Sequence, residues 1–181
     1  MIFLGGLVVG AFLGTLLGAV VMAVFVGGEA GMNEALFSSG KDDWETPQYI
    51  FDELNREFHF TLDPCADSKN HKCDRFFTIA DNGLAQNWEG ETVFCNPPYS
   101  PKKKGNPGQA EWIKKCYIES KKLGTTVVML IPARTDTAAF HDYIYGKAEI
   151  RFIRGRIKFV GAKYSAPFPN MIVIFRGGRQ G

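Results

Sequence analysis

Apolar positions follow three different periods along this chain, and each period predicts a different kind of element. From Ile2 to Gly28 no charge interrupts the run, which is long enough to span a bilayer as a helix. Gly6, Gly10, Gly14 and Gly18 recur every fourth residue within it, a small-residue stripe of the kind that lets membrane helices approach closely. After the polar stretch Ser38 to Asp43, the spacing of Ile50, Phe51, Leu54 and Phe58 predicts a helix, with Thr46 as N-cap and Pro47 at its first position. Phe58 to Asp63 then alternates like a strand, and Pro64 ends it.

Cys65 to Asn87 is polar and punctuated, which predicts loops and one short helix, with Phe76 to Ile79 as its short apolar element. Glu91 to Cys95 and Thr125 to Ile131 read as buried strands. Between them Lys102 to Gly108 is a loop and Ala110 to Leu123 a helix, with Trp112, Ile113, Cys116 and Tyr117 inward and Gly124 just past its end. Pro132 to Thr137 leads into a further helix through Phe140 and Tyr143, closed by Gly146. Glu149 to Ile153, Arg156 to Val160 and Met171 to Phe175 read as strands, the first two joined by a tight Arg154-Gly155 turn.

Strand and helix alternate through the middle, so the expected class is α/β: a mostly parallel sheet with helices on both faces and an antiparallel carboxyl-terminal hairpin. The expected organisation is an apolar segment at 1–31, a linker at 32–43, a catalytic domain at 44–177 and a tail at 178–181. Two readings of 1–31 stand side by side. It is a separate transmembrane helix, or it is an overextended gene start, because Met32 opens everything recognisable. A secretory signal is disfavoured, since no basic region precedes Ile2-Phe3-Leu4.

Length changes this picture little: 181 residues suit one α/β domain plus an appendage. A net charge of +2 is too small to imply nucleic acid, so any such argument rests on where the cations lie. The four cysteines lack paired short spacing and read as reduced intracellular thiols. Cys65, His71 and Cys73 lie close in sequence but match no zinc spacing, and no metal is expected.

The chemistry concentrates in Asn96-Pro97-Pro98-Tyr99, placed at the carboxyl end of a predicted strand, where α/β sites sit. An amino group conjugated to a ring is a poor nucleophile. An Asn side-chain oxygen and a Pro main-chain oxygen can accept its two hydrogens and stabilise the charge that develops during methyl transfer. Asn96 and Pro97 fit those roles, Pro98 stiffens the turn, and Tyr99 offers a ring for stacking. The motif alone specifies a planar amino group rather than DNA.

Further segments carry a resemblance: Asp43-Trp44-Glu45-Thr46-Pro47, Leu62 to Ala66, Asp81-Asn82-Gly83-Leu84, Pro132 to Thr137, Phe152 to Phe159 and Ala166 to Pro169. With the tetrapeptide, they make the chain resemble the phage-type DNA N6-adenine methyltransferases, the Dam-like family, from Asp42 to Phe175. The resemblance implies a Rossmann-like methyltransferase fold, S-adenosylmethionine as methyl donor and an adenine of double-stranded DNA as acceptor. It implies cofactor contacts from Thr46, Pro47, Asp63, Pro64, Cys65, Ala66 and Asp81, although Thr46 also serves as a helix cap and Asp81 as a turn residue. It also implies that Phe159 braces a flipped adenine, since N6 is engaged in pairing inside a duplex. A core position for Phe159 is the plain alternative.

Arg154, Arg156 and Lys158 are suited to phosphate contacts, with Arg134 a weaker candidate and Lys102 to Lys104 equally readable as a solvated face. The expected partner is double-stranded DNA, with membrane association through 2–28 if that segment is translated and no obligate protein partner. The expected location is the cytoplasm of a bacterial host, in a phage or prophage setting. Rival readings are methylation of RNA or of a protein glutamine, and a non-catalytic DNA- or membrane-bound module.

Overall fold

The structure, a computed structural model, describes residues 44–100 and 107–177. The apolar segment 1–31, the linker, Lys102 to Lys104 and the tail 178–181 lie outside the described residues. Among those described, no helix is long and apolar enough to cross a membrane.

Helix α1 (Gln48–Phe58) buries Ile50, Phe51, Leu54 and Phe58, the stripe its sequence spacing predicts. Its N-cap is Pro47 rather than Thr46, and no side chain caps it. Thr46 therefore stands one residue outside the helix, its hydroxyl free of the capping role. His59 ends the helix in the left-handed conformation at φ 56°, with its N–H on the Asn55 carbonyl, so the strand expected from Phe58 shrinks to β1 (Leu62–Asp63). β2 (Arg75–Phe76), a 3-10 turn at Gly83–Ala85, β3 (Thr92–Cys95), α2 (Gln109–Glu119) and β4 (Thr126–Pro132) follow. After β4 the expected helix is a single π-helical turn, Phe140–Ile144, and Gly146 takes φ +69° beyond it.

The sheet has six strands in the order β2-β1-β3-β4-β6-β5, where β5 is Glu149–Phe152 and β6 is Asn170–Phe175. β1, β2, β3 and β4 pair in parallel, and β6 runs antiparallel to both β4 and β5. One strand is thus reversed, inserted between two that run with the rest.

The expected hairpin between Glu149–Ile153 and Arg156–Val160 does not form. β5 pairs with β6 instead, from Glu149↔Ile174 to Phe152↔Met171. Residues 156–160 keep a strand-like alternation, with Ile157 and Phe159 buried and Arg156, Lys158 and Val160 exposed, but their backbone joins no ladder. The fully buried β6, apolar from Met171 to Phe175, takes the sheet position, leaving the half-polar 156–160 segment as part of a connecting loop.

Side chains of β4 alternate between two cores. Val127, Met129 and Ile131 pack with Trp112, Ile113 and Cys116 of α2 on one face. Val128 and Leu130 pack with Ile50, Phe51, Leu54 and Phe58 of α1 on the other. The sheet is thereby covered on both sides, and its open edge at the carboxyl ends of β1 and β3 is where the chain's polar motifs collect.

Candidate active site

β1 ends at Asp63 and β3 at Cys95, so the loops that leave these neighbouring strands, 64–67 and 96–99, face one another. A cavity of about 440 Å³ opens between them, which lies in the range of small-ligand sites. Asp63, Pro64, Cys65 and Ala66 form one wall and Asn96, Pro97 and Pro98 another. Trp44 and Thr46 close it from the segment before α1, while Thr78, Ile79, Asn82, Gly83, Leu84 and Trp112 complete the far side.

Asp63 is buried, and its two carboxylate oxygens accept the backbone N–H groups of Cys65 at 3.2 Å and Lys72 at 3.1 Å. Burial pushes its pKa up to about 6, against the lowering effect of those two donors. The Asp63 and Ala66 main chains are bonded to Phe77, which fixes the loop after β1 against the strand beside it. Cys65 Sγ lies 3.4 Å from Cys95 Sγ, and burial pushes the Cys65 thiol well up, so it lines the cavity as an uncharged group. Among the described residues no His, Cys, Asp and Glu cluster could hold a metal.

Gly83 explains how the 78–84 segment reaches the cavity. A Cβ there would come within 2.2 Å of the Pro64 carbonyl oxygen, so only glycine permits this approach of the two loops. Asp81 is turned away: its carboxylate accepts Thr78 N–H at 2.8 Å and Thr78 Oγ1 at 2.7 Å. These bonds lower its pKa, and its neighbours rather than Asp81 line the cavity.

Asn96 is held most tightly of the tetrapeptide. Its Nδ2 donates to the Trp44 carbonyl oxygen at 2.6 Å and to Thr46 Oγ1 at 2.9 Å. Its Oδ1 is buried and has no hydrogen-bond partner among the described residues. An orphaned buried acceptor costs about 1–3 kcal/mol.

Tyr99 is buried, and its hydroxyl donates to the Leu130 carbonyl oxygen at 3.5 Å. Its ring is covered by Trp44, Phe159 and Phe168, with centroids at 6.5, 6.1 and 5.6 Å. Phe159 is likewise a core residue, in ring contact with both Trp44 and Tyr99. Trp44 is the member of this aromatic box that lines the cavity. Sequence reasoning misses it as a site residue, and likewise Trp112, which reads from spacing only as part of the core face of α2. The available cue for Trp44 is its place two residues before Thr46.

Arg134 lies just beyond β4, and Arg154, Arg156 and Lys158 lie between β5 and β6, all exposed. Because β6 is reversed, both connections leave the same edge of the sheet as Asp63 and Asn96. None of these four cations lines the cavity. Pro47 is buried beside the cavity without lining it.

Known proteins similar to this chain fall in one family. A family model described as DNA N-6-adenine-methyltransferase (Dam) matches residues 34–179. The DNA N-6-adenine-methyltransferase of Haemophilus phage HP1 is 32% identical over 145 residues, covering 76% of this chain and 80% of that protein. The DNA N-6-adenine-methyltransferase of Escherichia phage T1 is 30% identical over 115 residues, covering 62% of this chain and 45% of that longer protein. The match takes in every wall of the cavity and the exposed cations beyond it: the chain belongs to the DNA N-6-adenine-methyltransferase (Dam) family.

Proposed function

We propose that this enzyme transfers a methyl group from S-adenosylmethionine to N6 of an adenine flipped out of duplex DNA, with residues 44–177 as its catalytic domain. The observation that carries the reading is Asn96: both amide hydrogens are committed to the protein, and its oxygen is left as a buried acceptor with no donor among the described residues. An exocyclic amino group is a donor-rich partner of the right kind. The rival acceptors, RNA and protein glutamine, have no observation in their favour, whereas the relatives are named as DNA adenine enzymes.

The residues present suit the cofactor. The mostly parallel sheet with one reversed strand and a site at its carboxyl edge is consistent with a Rossmann-like methyltransferase. Asp63 presents a buried carboxylate suited to an ammonium group, while Pro64, Cys65, Ala66 and the Gly83 approach provide a close, small-residue cradle. When bound, S-adenosylmethionine supplies an electrophilic methyl on a sulfonium.

What the chain itself contributes is orientation and electrostatics. Asn96 Oδ1 accepts one N6 hydrogen and the Pro97 carbonyl oxygen the other, drawing the nitrogen toward tetrahedral geometry as positive charge develops. The two prolines stiffen the turn that aims these acceptors. Trp44, backed by Tyr99 and Phe159, provides the aromatic surface for the base. Arg134, Arg154, Arg156 and Lys158 meet DNA phosphates on the same edge of the sheet. The phage origin of the relatives favours a phage or prophage gene acting in the cytoplasm of a bacterial host.

The test is incubation of the full chain with S-adenosylmethionine and unmethylated duplex DNA, followed by nucleoside mass spectrometry. N6-methyladenine is expected from the wild type and is expected to vanish with Asn96→Ala. Methylated cytosine, RNA or protein in its place would overturn the assignment.

A further inference from the structure

The segment before α1 is a strap across the top of the cavity, and its attachments are specific. Trp44 packs in the aromatic box, the Glu45 carbonyl oxygen accepts Val160 N–H at 3.1 Å, and Thr46 is 2% exposed. Thr46 makes no helix cap, so its hydroxyl is not needed for α1. Its one hydrogen bond within the described residues is the one it accepts from Asn96, fifty residues further along the chain.

An Asn side chain presents an acceptor on one side and a donor on the other, and a half-turn exchanges them. Here the exchange would place Asn96 Oδ1 against the Trp44 carbonyl oxygen, which now receives Nδ2 at 2.6 Å, and two acceptors would face each other. The second amide hydrogen is taken by Thr46 Oγ1 at 2.9 Å, which removes the remaining freedom of the amide plane. Of the two polar side-chain atoms of Asn96, Oδ1 is the one without a partner among the described residues.

We infer that Thr46 is a positioning residue for methyl transfer: with the Trp44 carbonyl, its hydroxyl fixes the Asn96 amide so that Oδ1 is presented to the target amino group. This rests on the proposed reaction and deepens it. It gives Thr46 a role beyond the cofactor contact that the family resemblance implies, and it ties the strap to the chemistry through one side chain.

The role makes an asymmetric prediction. Thr46→Val keeps the shape and removes the hydroxyl, so the amide loses one of its two anchors. At saturating S-adenosylmethionine and DNA, kcat is expected to fall by about ten- to a hundredfold, the scale of a misaimed reacting group. Thr46→Ser, which retains the hydroxyl, is expected to recover kcat to within about threefold of wild type. Cofactor affinity is measured separately, by calorimetry with S-adenosylhomocysteine.

A second readout does not depend on turnover. In 15N-labelled protein the Asn96 side-chain amide pair, assigned by its loss in Asn96→Asp, is expected to exchange slowly with solvent in the wild type and in Thr46→Ser, and quickly in Thr46→Val. An unchanged kcat in Thr46→Val, a defect confined to the KM for the cofactor, or an amide signal indifferent to the substitution would each overturn the positioning role. If the wild type makes no N6-methyladenine, the proposed reaction fails, and the amide exchange still decides whether Thr46 anchors Asn96.

Discussion

The ring of Trp44 covers that of Tyr99, with centroids 6.5 Å apart and planes 21° from parallel. Tyr99 is 3% exposed, and of these two rings only that of Trp44 lines the cavity. Trp44→Ala is expected to raise the KM for an adenine-containing duplex by about tenfold or more, the scale of removing one aromatic stacking partner. Trp44→Phe is expected to retain most of the affinity. A steady-state titration of DNA checks this, and a wild-type KM in Trp44→Ala would remove Trp44 from the base site.

Asp63 gives the site a pH signature. Its carboxyl is pushed up to about 6 by burial, so the charge needed to hold a cofactor ammonium is present above that value and lost below it. Affinity for S-adenosylhomocysteine is expected to fall by up to about tenfold per pH unit below 6, and calorimetry between pH 5 and pH 7.5 reads it directly. The effect on stability has the opposite sense. A carboxyl whose pKa rises on folding contributes stability that is complete below its ordinary value of 3.8 and is lost as pH rises through about 6. The difference amounts to about 3 kcal/mol, so at neutral pH the ligand-free fold carries a cost at the residue proposed to hold its ligand.

Gly83 is fixed by a close approach rather than by its own dihedral angles. Because a Cβ would lie 2.2 Å from the Pro64 carbonyl oxygen, Gly83→Ala must part the 78–84 segment from the loop after β1. A loss of about 1–3 kcal/mol in urea denaturation is expected. A second, separate loss is expected in S-adenosylhomocysteine affinity, since both displaced loops line the cavity. Full affinity with reduced stability would mean that the approach serves packing alone.

How much of this was legible in the sequence depends on what kind of force placed each element. α1, β3, α2, β4 and β6 are long apolar patterns whose burial decides their conformation locally, and their positions follow from spacing. The segment 156–160 has strand periodicity too, but which strand pairs with β5 is a competition between distant segments, and the wholly buried Asn170–Phe175 wins it. In the site, Asn96 and Asp63 were readable because strand ends carry chemistry in α/β sheets. The Thr46 contact with Asn96 was not, since a Thr-Pro pair before a helix reads as a cap and nothing local reports a partner fifty residues away. Asp81 illustrates the reverse: a turn role was readable, and the geometry displays a turn, with Thr78 as the partner.

Glu119 separates stability from catalysis. This buried carboxylate accepts Trp88 N–H at 2.9 Å and the ammonium groups of Lys115 and Lys122, each at 2.8 Å. Burial works against its ionisation, but these three donors hold its pKa below the ordinary value. Its contribution is present above the unfolded value of 4.5 and is lost as pH falls through the folded one. Glu119→Ala strands the backbone N–H of Trp88 and leaves two lysines without their carboxylate, so a loss of about 3 kcal/mol is expected. Glu119 does not line the cavity, so kcat of the folded fraction is expected to stay near wild type. Chemical denaturation and active-site titration together check both halves.

The cations divide into those already engaged and those facing solvent. Arg151 is held by Glu57 at 2.6 and 2.8 Å and by Glu149 at 2.6 Å, and it stacks on Phe58. Arg176 joins the same carboxylates, so the positive charge at this end of the sheet is neutralised internally. Arg154, Arg156 and Lys158 make no ion pair among the described residues, and they follow β5 on the edge that carries Asn96. If these three meet DNA phosphates, replacing all of them with Ala should flatten the dependence of log affinity on log salt by about 2 to 3, near 0.9 for each phosphate no longer neutralised. Arg151→Ala, by contrast, should leave that slope unchanged and cost up to about 1 kcal/mol of stability, as an exposed ion-pair network does. Fluorescence anisotropy across a salt series distinguishes the two. Equal slopes for wild type and the triple variant would move the DNA face away from Arg154, Arg156 and Lys158, and would turn the same test to Arg134, another exposed cation of this edge.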